Sequence, residues 1–298
     1  MIGTVVVPLD GSSLAEAAIP LAQVIAERSG AMLQLLQVVP SDASAAVQEQ
    51  AREYLRAQAR RIDDRVQISI HLGDPAGEIV DGAAELLDPI VVMTTHGRSG
   101  LRRWAFGSVA ERVIHGARTP VLLIRSGTAP PPAIRAILLP LDGSAYAEAA
   151  LPYAAELTRA FDAVLHVARV VEMSELSASR SPEVDEAMAM VVDGLARGAR
   201  DYVDRCVAGL RERGLRAEPH LLEGDAAEEL IALERAGVTD LTVMATRARA
   251  VLSRVVFGSV AEKLLKLGTT PLMLVEPELV PNGAVPGTSA SGIATTDG

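Results

Sequence analysis

Asp10-Gly11-Ser12 stands just past the β-branched run Val5-Val6-Val7, and the spacing Thr94-x2-Gly97-x9-Gly107-Ser108 begins at the end of a second run, Ile90-Val91-Val92-Met93. A turn carboxylate can accept from hydroxyls. Glycines let backbone N–H groups come close to an anion, and a helix beginning at Ser108, with that serine as its cap, would add a partial positive charge at its N-terminus. In open parallel sheets ligands sit at the carboxyl ends of strands, where the winding reverses. If the first and fourth strands are neighbours, both segments converge on one crevice. Their chemistry is that of a cradle for a nucleotide's phosphates.

The same chemistry is written twice. Residues 6–20 return as residues 138–152 with ten of fifteen positions identical, and Phe106-Gly107-Ser108-Val109-Ala110-Glu111 returns unchanged as Phe257-Gly258-Ser259-Val260-Ala261-Glu262. The first block repeats at an offset of 132 (142 − 10) and the second at 151 (258 − 107), so the second copy carries 19 more residues between them. That period is far beyond the roughly 20 to 50 residues of a stacking repeat, so each copy reads as a domain. The copies differ where it matters: Thr94 and Gly97 are matched by Ala245 and Ala248, while Asp142 and Gly258-Ser259 keep the rest. A methyl at 248 removes the freedom to adopt positive φ, so the second site is expected to bind more weakly or not at all.

The elements that must position these segments follow from periodicity. Apolar runs at residues 4–9, 32–39, 66–72, 90–93 and 121–124 alternate with helical patterns such as 14–28 and 45–62. Runs at 136–141, 164–171, 218–222, 241–244 and 272–275 repeat the order, with a longer helix over 182–213. Strands apolar on successive residues and separated by helices imply a parallel sheet covered on both faces. The expected fold is α/β, two tandem doubly wound domains, each a five-stranded parallel sheet flanked by helices. Residues 1–125 form the first, 126–135 a proline-rich linker, 136–277 the second, and 278–298 a tail too polar and small-sided to fold.

At 298 residues, 49% apolar and 22% charged, each copy can bury a core of its own. A net charge of −10 repels polyphosphate backbones, so nucleic acid is not an expected partner. The lone Cys206 excludes an internal disulfide, and no apolar run reaches the ~20 residues of a membrane span. The expected address is cytoplasmic, with no membrane partner.

The Thr94-x2-Gly97-x9-Gly107-Ser108 spacing, with Pro8-Leu9-Asp10 upstream, resembles the universal stress proteins, whose ATP-binding branch carries Gly-x2-Gly-x9-Gly-Ser/Thr at the same relative place. The resemblance runs through both copies. It implies ATP, with or without Mg, as the cofactor of a stress-response regulator. Pro8, Leu9, Asp10 and the strand-end Val38 would hold the adenosine end, and Met93, Thr94, His96, Gly97, Gly107, Ser108 and Val109 would line the phosphate loop. Asp142, Gly258 and Ser259 are their counterparts. It also implies that the last strands, 121–124 and 272–275, pair across a two-fold axis, giving an internal pseudo-dimer and room for a homodimer.

Other readings stand beside this one. Asp10 and Asp142 can serve a βα turn alone, with Ser12 and Ser144 as N-caps. The arginines of the two loops, Arg98, Arg102, Arg103, Arg247, Arg249 and Arg254, read as solvated charges. His71, His115, His166 and His220 lack metal-ligand spacing, so no metal site is expected. No Gly-x4-Gly-Lys-Ser/Thr loop, Gly-x-Gly-x2-Gly turn or Gly-x-Ser-x-Gly elbow is present. No catalytic residue is therefore assigned, and turnover is expected to be slow ATP hydrolysis at most. The alternatives are a nucleotide-free interaction scaffold of the same fold and, behind it, a dedicated ATPase.

Overall fold

The computed structural model describes residues 2–95, 107–125, 133–172, 182–246, 249–251, 254–256 and 258–277. In the first copy the elements run β1 (Thr4–Pro8), α1 (Ser13–Glu16), α2 (Ile19–Ser29), β2 (Met32–Val39), α3 (Ala45–Ile62), β3 (Gln67–Leu72), α4 (Pro75–Ala84), β4 (Pro89–Thr94), α5 (Ser108–Gly116) and β5 (Val121–Ile124). The second copy runs β6 (Ala136–Pro140), a short 3-10 turn (Ala147–Ala150), α6 (Leu151–Phe161), β7 (Val164–Val171), α7 (Pro182–Glu212) and β8 (Ala217–Glu223). It continues through α8 (Ala226–Arg235), β9 (Leu241–Ala245), the small hairpin β10 (Arg249–Val251) and β11 (Arg254–Val256), α9 (Ser259–Leu267) and β12 (Leu272–Val275).

Each copy has the strand order third, second, first, fourth, fifth, all parallel, as the alternation of apolar strands and helices predicts. The reversal of winding falls between β1 and β4, paired from Thr4↔Pro89 to Val6↔Val91, and between β6 and β9. The two halves are continuous. β5 pairs antiparallel with β12, Leu122 opposite Met273, so ten strands make one sheet. Two cores line its faces, and each draws on both copies: Val5, Ile25 and Leu55 share one with Leu139 and Leu157, and Val91, Val113 and Leu123 share the other with Leu138 and Leu274. Arg125 adds a bond from its guanidinium to the Leu265 carbonyl at 3.0 Å, near the C-terminal end of α9.

Local chemistry sets the boundaries. Ser44 caps α3, whose buried residues Ala51, Leu55, Gln58 and Ala59 fall on one stripe, and α2 stops at Gly30 with φ of 72°. The helix expected over 14–28 is two helices. Pro20 has no N–H and its ring collides with the carbonyl four residues back, so α1 ends at Glu16 and α2 restarts with proline in its first turn. The extra length of the second copy goes largely into α7, 31 residues against 18 in α3.

Candidate functional site

At the carboxyl ends of β1 and β4 a cavity of about 290 Å³ opens in the first copy. Pro8, Leu9 and Asp10 bound it from the end of β1, Leu36 and Val38 from β2, Met93, Thr94 and Thr95 from β4, and Ser108, Val109 and Ala110 from α5. Leu36 and Val38 are two apart on β2, share a face, and belong with Met93 to the core on the α4 and α5 side. Nine residues named from the sequence, Pro8, Leu9, Asp10, Val38, Met93, Thr94, Gly107, Ser108 and Val109, are thus brought together around it. His96 and Gly97 lie outside the described residues.

Ala15, Leu36, Pro75, Ile79, Thr95 and Ala110 also line the cavity and were not named from the sequence. Leu36 could have been, since it shares a strand face with Val38. Pro75 and Ile79 come from α4, which no motif marks, and only packing places that helix over the cavity. A bidentate pair bridges the two helices at the surface: the Arg112 guanidinium of α5 donates to both Asp74 carboxylate oxygens at 2.8 and 2.6 Å, and Asp74 also caps α4 through Gly77 N. The Arg112 contact holds the Asp74 carboxyl below its ordinary range. Lys263 and Asp225 repeat the clamp between α9 and α8 at 2.9 Å.

The Asp10 turn is built with equal care. Asp10 Oδ1 accepts from Ser12 N at 3.0 Å and from Ser12 Oγ at 2.6 Å, while Ser12 Oγ accepts from Ala15 N at 3.1 Å and so caps α1. Gly11 sits at φ of 82°, where a side chain would strain the turn. Behind it Glu16 Oε1 accepts from Tyr54 Oη at 2.9 Å and Gln58 Nε2 at 2.8 Å, pinning α1 to α3. Burial first, and the Glu16 carboxylate second, push the Tyr54 phenol up, so this bond persists over ordinary pH. In the second copy Asp142, Ser144 and Ala147 repeat the turn, with Asp142 Oδ1 accepting at 2.8 and 2.5 Å, and Tyr202 donates to Glu148 at 2.8 Å.

Two features of α5 correct the sequence expectation. The N-cap is Gly107, not Ser108, and it makes no side-chain cap bond; its φ of −64° is ordinary, and its N–H already donates to Thr95 O at 2.8 Å. The donors left for a ligand are therefore the first-turn N–H groups of Ser108, Val109 and Ala110, which a helix leaves without internal partners. In the second copy Gly258 is again the cap and Ser259 opens α9. Gly258 has an ordinary φ of −56°, and no atom stands within 4 Å of where its Cβ would be among the described residues, so packing does not demand glycine there.

A model of the Universal stress protein family matches residues 1–125 and again 133–276. The chain belongs to the universal stress protein family. As a tandem universal stress protein it is 26% identical over 140 residues to one from Methanocaldococcus jannaschii, covering 47% of this chain and 81% of that relative. It is 26% identical over 217 residues to one from Mycolicibacterium smegmatis, covering 71% of this chain and 69% of the relative. Among solved structures, a universal stress protein from Archaeoglobus fulgidus superposes with a TM-score of 0.69 at 18% identity, over 92% of this chain and 98% of that one. A putative one from Pseudomonas aeruginosa gives 0.63 at 19%, over 93% and 95%. At those identities the likeness of this universal stress protein to them is one of fold.

Proposed function

We propose that this universal stress protein binds an adenine nucleotide, ATP foremost, in the cavity of its N-terminal copy, and that occupancy sets its regulatory state. The observation that carries the reading is the lining of that cavity. It combines apolar side chains, Leu36, Val38, Ile79 and Met93, with Asp10, the hydroxyl residues Thr94, Thr95 and Ser108, and the N-terminus of α5. A purine ring suits the apolar side chains, ribose hydroxyls suit the Asp10 carboxylate, and phosphate oxygens suit the helix N–H groups. His96 and Gly97 would complete the phosphate loop, and Mg would accompany the phosphates.

The second copy would be the weaker site, because Ala245 and Ala248 replace Thr94 and Gly97. The antiparallel β5–β12 contact supports reading the two copies as an internal pair. The direct test is to denature the purified full chain and identify what is released. An adenine nucleotide at near one per chain supports the reading. A nucleotide-free chain that also fails to take up ATP on titration leaves the interaction scaffold in its place.

A further inference from the structure

In the second copy β7 and β8 carry three potential ligands on one face of the sheet. His166 Nδ1 lies 2.8 Å from His220 Nε2 and 3.7 Å from a Glu218 carboxylate oxygen, and one donor atom from each of the three residues lies within 4.8 Å of the others. His166 is buried, at 8% exposure, whereas the Glu218 side chain is 58% exposed, so the cluster opens to solvent from one side. The pair escapes sequence spacing because 54 residues separate the two histidines and only strand pairing joins them.

The first copy supplies the control. There Gln34 pairs in register with Gln67 as His166 does with Glu218, and Ser69 stands where His220 does. Gln34 Nε2 donates to Ser69 Oγ at 2.8 Å. Fold and register therefore need only a polar pair at this place. The second copy has all three positions changed to residues with lone-pair donors for a metal.

We propose that His166, Glu218 and His220 form a divalent-metal site of zinc type, with a fourth position open to solvent, that clips strand β8 to β7. Two imidazoles and one carboxylate are a known donor set for zinc, with Zn–N near 2.0–2.1 Å. Tetrahedral angles then put two ligand nitrogens about 3.3 Å apart, so the histidines need separate by only about half an ångström from the present contact. The 3.7 Å spacing to Glu218 is already on that scale.

The experiment uses the full chain, stripped of metal and nucleotide, and zinc chloride alone. After dialysis against low micromolar zinc, elemental analysis should find one zinc per chain, and saturating zinc should raise the unfolding temperature by about 4 °C. H166Q/H220S, which installs the Gln–Ser pair of the first copy, should keep its metal-free unfolding temperature and lose both the zinc and the shift. E218Q, at an exposed position, should weaken zinc at least tenfold with the histidine pair intact. No zinc retained by the native chain, or equal retention by H166Q/H220S or E218Q, overturns the site.

Discussion

Asp10 holds a turn and faces the cavity, and substitution separates the two roles. In Asp10→Asn the amide oxygen can still accept from Ser12 N and Ser12 Oγ, now at 3.0 and 2.6 Å, so the turn loses only the charge assistance of two bonds. Charged acceptors exceed neutral ones by about 1 kcal/mol per bond, and Asp10 is only partly buried, so stability should fall by about 1 kcal/mol in all. A ribose hydroxyl bonded to the carboxylate is a separate matter: losing the charged acceptor should weaken ATP by about 10- to 100-fold, the equivalent of roughly 1.5–3 kcal/mol. Asp10→Ala removes the turn acceptors too and should cost about 2–3 kcal/mol of stability. Asp142→Asn should match Asp10→Asn in stability, since its Oδ1 accepts at 2.8 and 2.5 Å, and leave ATP binding intact. Urea unfolding and calorimetric titration on the same samples read both quantities. If Asp10→Asn binds ATP like the native chain, Asp10 is a turn residue only and the assignment of the ribose end to it is wrong.

Glu234, 4% exposed on α8, accepts from Thr242 Oγ1 and Thr269 N, both at 2.7 Å. Glu234→Ala should therefore cost about 2–4 kcal/mol in urea unfolding, and adding Thr242→Val, which restores the Ala83 and Val91 pairing of the first copy, should recover about 1 kcal/mol. Gly143 sits at φ of 81° with an Arg169 guanidinium nitrogen 2.3 Å from where a Cβ would stand, whereas Gly30 at 72° faces open space. The Arg169 guanidinium is the end of a flexible chain and can move aside, so thermal unfolding should show Gly143→Ala and Gly30→Ala each costing about 1 kcal/mol from the positive φ; a clearly larger loss at Gly143 would show that Arg169 cannot yield. Burial lowers the His115 imidazole, with Glu111 opposing in part, so the unfolded chain binds the proton more readily. That stability is full above the unfolded value near 6.5 and declines as pH falls below it; His115→Gln should flatten the slope of unfolding free energy between pH 6.5 and 5.5, and an unchanged slope would assign it elsewhere.

The strands were legible because parallel sheets buried on both faces leave continuous apolar runs, and the duplicated Asp-Gly-Ser and Gly-Ser segments marked the carboxyl ends that became the cavity wall. Pro20 should have split the first long helix, since its chemistry outranks the apolar period around it. What the sequence hid is what only tertiary packing creates. Pro75 and Ile79 reach the cavity because α4 shares a buried core with α5 through Ala76, Ile79, Val113 and Ile114, and nothing local signals a contact between residues so far apart. The tie from Gly107 N to Thr95 O likewise exists only once the strand end and the helix start meet, and it moved the usable donors into the first turn of α5. The contact between His166 and His220 is hidden for the same reason, since it joins partners across two strands rather than along one chain.

The proposed function requires one nucleotide site per chain, in the cavity beside β1 and β4. Titrating ATP with Mg into the nucleotide-stripped full chain tests it most directly, alongside Val38→Trp, whose ring would occupy part of that cavity. The native chain should bind with a stoichiometry near one, and Val38→Trp should lose binding with the fold intact by circular dichroism. Two equivalent sites, no uptake at millimolar ATP, or undiminished binding by Val38→Trp would contradict the proposed function.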